Sequence, residues 1–136
     1  LPLIRTAVRR ARCAARYVAL RIDVVRRFRS DPLDALLASL DRPTARATLT
    51  REDVTAGIAF GEGVSRRCAI GPDTCLYRAL ARYALLRESG YAPRFVMGVD
   101  EDDVASGHAW LELDGAPFLE PGSPRFCRTF EHPPRT

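Results

Sequence analysis

The apolar pattern of this chain changes period once, between Gly90 and Arg94, and that change limits the folds open to it more than any other feature. Before Gly90 the apolar residues recur at helical spacing. After Arg94 they fall in short runs broken by turn residues. A chain that runs helices first and strands afterwards belongs to the α+β class, with helices packed on a small antiparallel sheet.

The helical part divides at its turn signals. Residues 3–29 carry Ile4, Ala7, Val8, Ala11, Ala14, Ala15, Val18, Ile22 and Val25 near period 3.6, with arginines between them. Asp31-Pro32 reads as a capping Asp followed by Pro at the first position of a short helix ending at Leu40. Thr50-Arg51-Glu52-Asp53 resembles a capping box and opens a third helix, whose length Gly57, Gly61 and Gly63 leave open. Gly71-Pro72-Asp73-Thr74 is a turn into the clearest helix, with Leu76, Leu80, Tyr83, Ala84 and Leu86 on its apolar face and Gly90 beyond its end. Arg94 to Val99 reads as a buried strand. Gly107 to Leu113 and Ala116 to Glu120 read as two strands joined through Asp114-Gly115, a strong hairpin signal. The length suits one domain: N-terminal helices over 1–49, a core over 50–125 and an irregular tail over 126–136.

Composition narrows the chemistry. Every basic residue other than His is Arg, so neither a lysine Schiff base nor a Ser-Lys pair is open to the chain. Arginines crowd the first thirty residues, but nucleic-acid motifs and aromatic stacking platforms are lacking, and a solvated basic helix face is expected there. No apolar run approaches a membrane span, and nothing at the start reads as a signal peptide. Of the four cysteines, Cys13, Cys68, Cys75 and Cys127, no two are spaced Cys-x-x-Cys, so zinc is not expected. Reduced thiols in a cytoplasm are the expectation, with Cys13 a small core residue and no cofactor.

Cys75 follows Asp73-Thr74 in the first turn of the central helix. With Asp73 as the cap, its thiol would meet the partial positive charge of a helix N-terminus, which favours a thiolate. The free N–H groups of that turn could also receive an oxyanion. A base for such a nucleophile must come from His108, in Gly107-His108-Ala109-Trp110, or from His132, which lies in a proline-rich tail. Asp114 or Glu120 could orient His108.

Four stretches together resemble the transglutaminase-like leader peptidases of lasso-peptide biosynthesis. They are Thr74-Cys75-Leu76-Tyr77-Arg78-Ala79-Leu80-Ala81, Leu85-Leu86-Arg87-Glu88-Ser89-Gly90, Val96-Met97-Gly98-Val99 and His108-Ala109-Trp110-Leu111-Glu112-Leu113-Asp114-Gly115. The resemblance covers roughly residues 50–125 and implies a papain-like cysteine hydrolase. Its nucleophile falls on Cys75 and its histidine on His108. Its third member, usually Asp, falls on Glu120. The implied activity is removal of the leader from a ribosomal precursor peptide. The implied partners are that peptide, a leader-recognition domain or protein, and an ATP-dependent macrolactam cyclase. No recognition domain is visible in residues 1–49; if fused, it would precede Leu1. An acyltransferase or transglutaminase using the same triad, or a silent scaffold that binds a precursor, are the alternatives.

Strand register bears on the third member. A two-residue loop at Asp114-Gly115 pairs Leu113 with Ala116 and leaves Glu120 on the wrong side of the sheet from His108. A three-residue loop with a bulge pairs Glu112 with Ala116, Trp110 with Phe118 and His108 with Glu120. The bulged register is therefore the expectation. Asp114 lies at the hairpin tip in both, too far to touch His108.

Overall fold

The computed structural model describes residues 1–42, 49–121 and 126–135. Four helices come first: α1 (Pro2–Arg27), α2 (Leu33–Leu40), α3 (Arg51–Arg67) and α4 (Cys75–Glu88). Four strands follow: β1 (Arg94–Asp100), β2 (Gly107–Leu113), β3 (Ala116–Phe118) and β4 (Phe126–His132). They form one antiparallel sheet in the order β3-β2-β1-β4. The α+β expectation holds.

α1 buries Cys13, Ala14, Tyr17, Leu20, Arg21 and Val24. This stripe is rotated from the one the periodicity predicts: Ile4, Val8 and Ile22 are exposed. Alanines spread around α1 make its apolar pattern broad, and the partner helix decides which side is covered. α3 presents glycines there. A Cβ on Gly57 would stand 2.5 Å from Cys13 Sγ, and one on Gly61 2.7 Å from Tyr17 Cδ1. The glycines therefore bring the two helices close without shortening α3, which keeps its 17 residues. Cys13 is a core residue as expected, and burial, then the charge of Asp53, push its thiol up to about 11. Most arginines of α1 lie on an exposed face as expected, though several are paired there and one is not exposed at all. Arg9 and Arg10 pair with Asp53 at 3.0 and 2.9 Å, Arg16 pairs with Glu88, and Arg21 is wholly buried.

Two caps differ from expectation. α2 begins at Leu33 with Pro32 in the cap position, extended at ψ 150°, while Asp31 turns back to Arg27 Nε at 3.5 Å. α4 is capped by Thr74, not Asp73. The Thr74 hydroxyl accepts from Tyr77 N–H at 3.3 Å, as the Thr50 hydroxyl of α3 accepts from Asp53 N–H at 3.2 Å. At the far end of α4, Gly90 takes φ +91° and Tyr91 N–H reaches the Leu86 carbonyl at 2.9 Å, a Schellman closure.

α4 lies against β2 and α1, with Leu80, Tyr83, Ala84 and Leu86 in the core. Alternation gives the sheet two faces. Phe95, Ala109, Leu111, Leu113 and Phe118 join the helices in that core. Val96, His108, Trp110 and Glu112 point to the other face. Residues 126–132, expected to be irregular, form β4. Prolines on both sides hide the strand signal, and a bulge breaks its alternation: Met97 pairs with Phe130 but Gly98 with Arg128. The extra residue sends Phe126 and Arg128 to the His108 face and Phe130 to the Phe95 face. The Phe130 ring meets Phe95 edge-on with centroids 6.2 Å apart.

The hairpin forms at Asp114-Gly115, but in the two-residue register. Leu113 pairs with Ala116, Glu112 with Pro117 and Leu111 with Phe118. Asp114 and Gly115 both have positive φ, +54° and +79°, the geometry of a type I′ turn. This turn matches strand twist without a bulge, so the expected three-residue loop is not formed. β3 also stops at Phe118 rather than reaching Glu120.

Candidate active site

His108 is held on three sides. Its ring stacks on Trp110 two residues along β2, with centroids 5.8 Å apart and planes 15° apart. The Phe126 ring lies 5.1 Å away at 29°. Phe126 reaches it across Gly98, the β1 partner of His108: a Cβ on Gly98 would stand 2.9 Å from Phe126 Cβ and 2.7 Å from the Cys127 carbonyl oxygen. The third contact is polar. His108 Nε2 stands 2.8 Å from Glu120 Oε2.

That contact is the pair expected from sequence, reached by a different route. In the observed register Glu120 would continue onto the wrong face. Leu119 prevents it by turning into the left-handed region at φ +53°. The break in alternation therefore sits at Leu119 and not in the hairpin loop. Asp114 stays at the tip, exposed, and pairs with Arg51 at 3.3 Å.

Cys75 is the first residue of α4 and is half-buried. Thr74 takes two of the four N–H groups that begin the helix. Its hydroxyl accepts from Tyr77 and its carbonyl oxygen from Arg78 at 3.1 Å. The N–H groups of Cys75 and Leu76 lie ahead of them in the same turn and have no acceptor within the helix. Residues 75, 78 and 82 share one helix stripe. Arg78 and Arg82 line a pocket of about 310 Å³ with His108, Leu119, Glu120, Pro121 and Phe126. Cys75 stands one turn before them and does not itself line the pocket, and no hydrogen bond joins it to His108 among the described residues.

Several residues that position these groups escaped the sequence reading. Arg21 Nε donates to the Ile70 carbonyl oxygen and Nη2 to that of Pro72, both at 3.2 Å, in the turn that leads to Cys75. Tyr17 donates to Glu62 at 2.8 Å, and Glu62 takes both arms of Arg82 at 2.7 and 2.8 Å. Burial works against the Arg82 charge, but the hydrogen bonds to Glu62 together with the charges of Glu62, Tyr17 and Glu120 outweigh it and hold the guanidinium above its ordinary value. Asp73 pairs with Arg78 at 2.9 Å, which holds its carboxyl below the ordinary value.

His132 lies on β4 rather than in a loose tail, and is engaged elsewhere. Its Nε2 stands 2.7 Å from Asp41 Oδ2, and Asp41 also accepts from the Tyr83 hydroxyl. Among the described residues no group of three or more His, Cys, Asp or Glu could hold a metal ion, and no helix is long and apolar enough to cross a membrane.

Residues 17–131 match the transglutaminase-like superfamily. No curated protein and no solved structure matches the chain. The family match spans most of the sequence, from the middle of α1 to the end of β4. It takes in the start of α4, the strand that carries His108 and the segment that carries Glu120, and on that ground the chain belongs to the transglutaminase-like superfamily, whose members are typically cysteine-based enzymes.

Proposed function

We propose that this chain is a cysteine peptidase that removes the leader from a ribosomally made precursor peptide during lasso-peptide maturation, with Cys75 as nucleophile, His108 as base and Glu120 as its orienting carboxylate. The observation that carries the catalytic part is the 2.8 Å contact between His108 Nε2 and Glu120, beside a helix whose first residue is a cysteine. The substrate part rests on the sequence resemblance around Cys75 and His108.

In this mechanism the Glu120 carboxylate accepts a hydrogen bond from Nε2–H, which keeps the proton on Nε2 and leaves the neutral ring's lone pair on Nδ1. Nδ1 takes the Cys75 proton as the sulfur attacks the scissile carbonyl carbon. The N–H groups of Cys75 and Leu76 donate to the oxyanion. The imidazolium returns the proton to the departing amine, which leaves as the new N-terminus of the core peptide. Water, deprotonated at Nδ1, then releases the leader acid from the thioester. The freed amine is what a partner ATP-dependent cyclase would join to a side-chain carboxyl. A leader-recognition domain or protein would supply most of the precursor affinity.

The test is incubation of the full precursor with the protein and a leader-recognition partner, read by mass spectrometry. Expected products are the free leader acid and a core with a free N-terminus. Cys75→Ala should abolish release, and His108→Ala should nearly do so. A leader joined to an added amine would point instead to acyl transfer. Turnover in Cys75→Ala would overturn covalent catalysis.

A further inference from the structure

Arg21 is buried to 1% exposure, and its contacts run in two directions. An arginine removed from water needs acceptors for its donors. Toward the C-terminal end of α1, Arg21 holds the carbonyl oxygens of Ile70 and Pro72 and lies 3.6 Å from Asp73 Oδ1. This is the turn directly before Thr74 and Cys75. The turn has little freedom of its own: Ala69 and Gly71 take φ +49° and +68°, and a Cβ on Gly71 would stand 2.6 Å from Val25 Cγ2. In the other direction Arg21 Nη1 donates to the Tyr17 hydroxyl at 3.3 Å. Tyr17 donates onward to Glu62, Glu62 holds Arg82, and Arg82 lines the pocket of His108 and Glu120. One chain of polar contacts thus joins the turn before the cysteine to the pocket of the histidine, through residues of α1, α3 and α4.

Stability alone does not call for such a chain. A buried charge network is often no more stable than apolar side chains of similar volume. Its acceptors instead fix the backbone that carries a thiol. Misplacing a reacting atom by about 1 Å can cost on the order of a hundredfold in rate.

We propose that Arg21 is a positioning residue for Cys75, acting through the Ile70 and Pro72 carbonyls, and that Tyr17 and Glu62 couple it to the His108 pocket through Arg82. The proposal rests on the reading of Cys75 as nucleophile.

Arg21→Met tests it, because Met keeps much of the stem volume and removes every donor. The readouts are the alkylation rate of Cys75 by iodoacetamide in the full chain carrying Cys68→Ser and Cys127→Ser, the melting temperature, and kcat and KM for precursor cleavage. The expected result is a folded protein whose Cys75 alkylation and kcat both fall by about tenfold while KM stays within about twofold. Arg21→Lys should recover part of the loss, since it restores one donor group. A folded Arg21→Met protein with wild-type alkylation and kcat overturns the proposal. If Arg21→Met does not fold, Tyr17→Phe decides: it keeps the ring and removes only the hydroxyl between Arg21 and Glu62. It should slow alkylation by about threefold, and a wild-type rate would overturn the proposal. Absence of precursor cleavage by the unsubstituted protein would sink the peptidase reading while the alkylation comparison still decides the role of Arg21.

Discussion

His108 and Glu120 meet at 2.8 Å across a backbone that has already left the sheet: β3 ends at Phe118, and the left-handed Leu119 swings the next carboxylate round to the side of the sheet that carries the ring, where it meets Nε2. If Glu120 orients the imidazole and stabilises its charged form, Glu120→Gln should lower kcat by about a hundredfold and leave KM nearly unchanged. Asp114→Asn should stay within about twofold of wild type, because the ion pair it loses is exposed and such pairs contribute roughly 0–1 kcal/mol. Steady-state kinetics on the precursor checks both. The reverse ranking would mean that the third member has been misassigned.

Gly98 sits under the Phe126 ring, between His108 and β4. Gly98→Ala puts a methyl 2.9 Å from Phe126 Cβ and 2.7 Å from a carbonyl oxygen, and backbone oxygens do not yield easily. The strand must shift, and the ring stacked on His108 must shift with it. The expected outcome is a loss of about 1–3 kcal/mol in stability, by chemical denaturation, together with a fall in kcat. Phe126→Leu should lower kcat with a smaller stability loss, since it loosens His108 without a clash. Full activity in both variants would show that the aromatic stack does not place the histidine.

What could be seen in the sequence was whatever depends on local pattern. The helices that open at Thr50 and Thr74 and the Asp114-Gly115 hairpin announce themselves within a few residues, whereas the pairing of His108 with Glu120 rather than Asp114 does not. What could not be seen depends on which surfaces meet. Arg21 reads as one more arginine of a basic helix, yet it stands four residues after Tyr17 and eight after Cys13, on the side that α3 covers. Only the position of Gly57 and Gly61 says which side that is. The route from His108 to Glu120 was hidden for a similar reason. A hairpin register can be reasoned from its turn, but a single left-handed Leu119 beyond the strand has no sequence signature. β4 was masked by flanking prolines and by a bulge that cancels period two.

The glycines of α3 give opposite outcomes under one substitution. Gly57→Ala brings a methyl to 2.5 Å from Cys13 Sγ and 2.6 Å from its Cβ, so α1 must move away. The expected cost is about 1–3 kcal/mol. A Cβ at Gly63 has nothing within 4 Å. There the higher helix propensity of Ala should act alone and stabilise by about 0.5–1 kcal/mol. Urea titration of the two variants reads the difference. Equal effects would mean that α1 and α3 do not pack as closely as Gly57 implies.

Acid should weaken the fold first at Glu112. Hydrogen bonds from Arg128 outweigh burial and hold its carboxyl below the ordinary value of 4.5. Asp41 is lowered from 3.8 by a different balance: burial pushes it up, and hydrogen bonds from Tyr83 and His132 overcome that. A carboxyl depressed in the folded state contributes stability that is fully present above its unfolded value and is lost as pH falls through its folded value. The Glu112 contribution therefore begins to fade below 4.5, before that of Asp41, which begins to fade below 3.8. Glu112→Gln should lower stability at neutral pH and flatten the decline just below 4.5, while leaving the steeper loss at lower pH in place. Urea midpoints measured at closely spaced pH values across that range check the prediction. If wild type and Glu112→Gln lose stability in parallel, the Arg128–Glu112 pair does not hold the sheet as its 2.6 and 2.9 Å contacts imply.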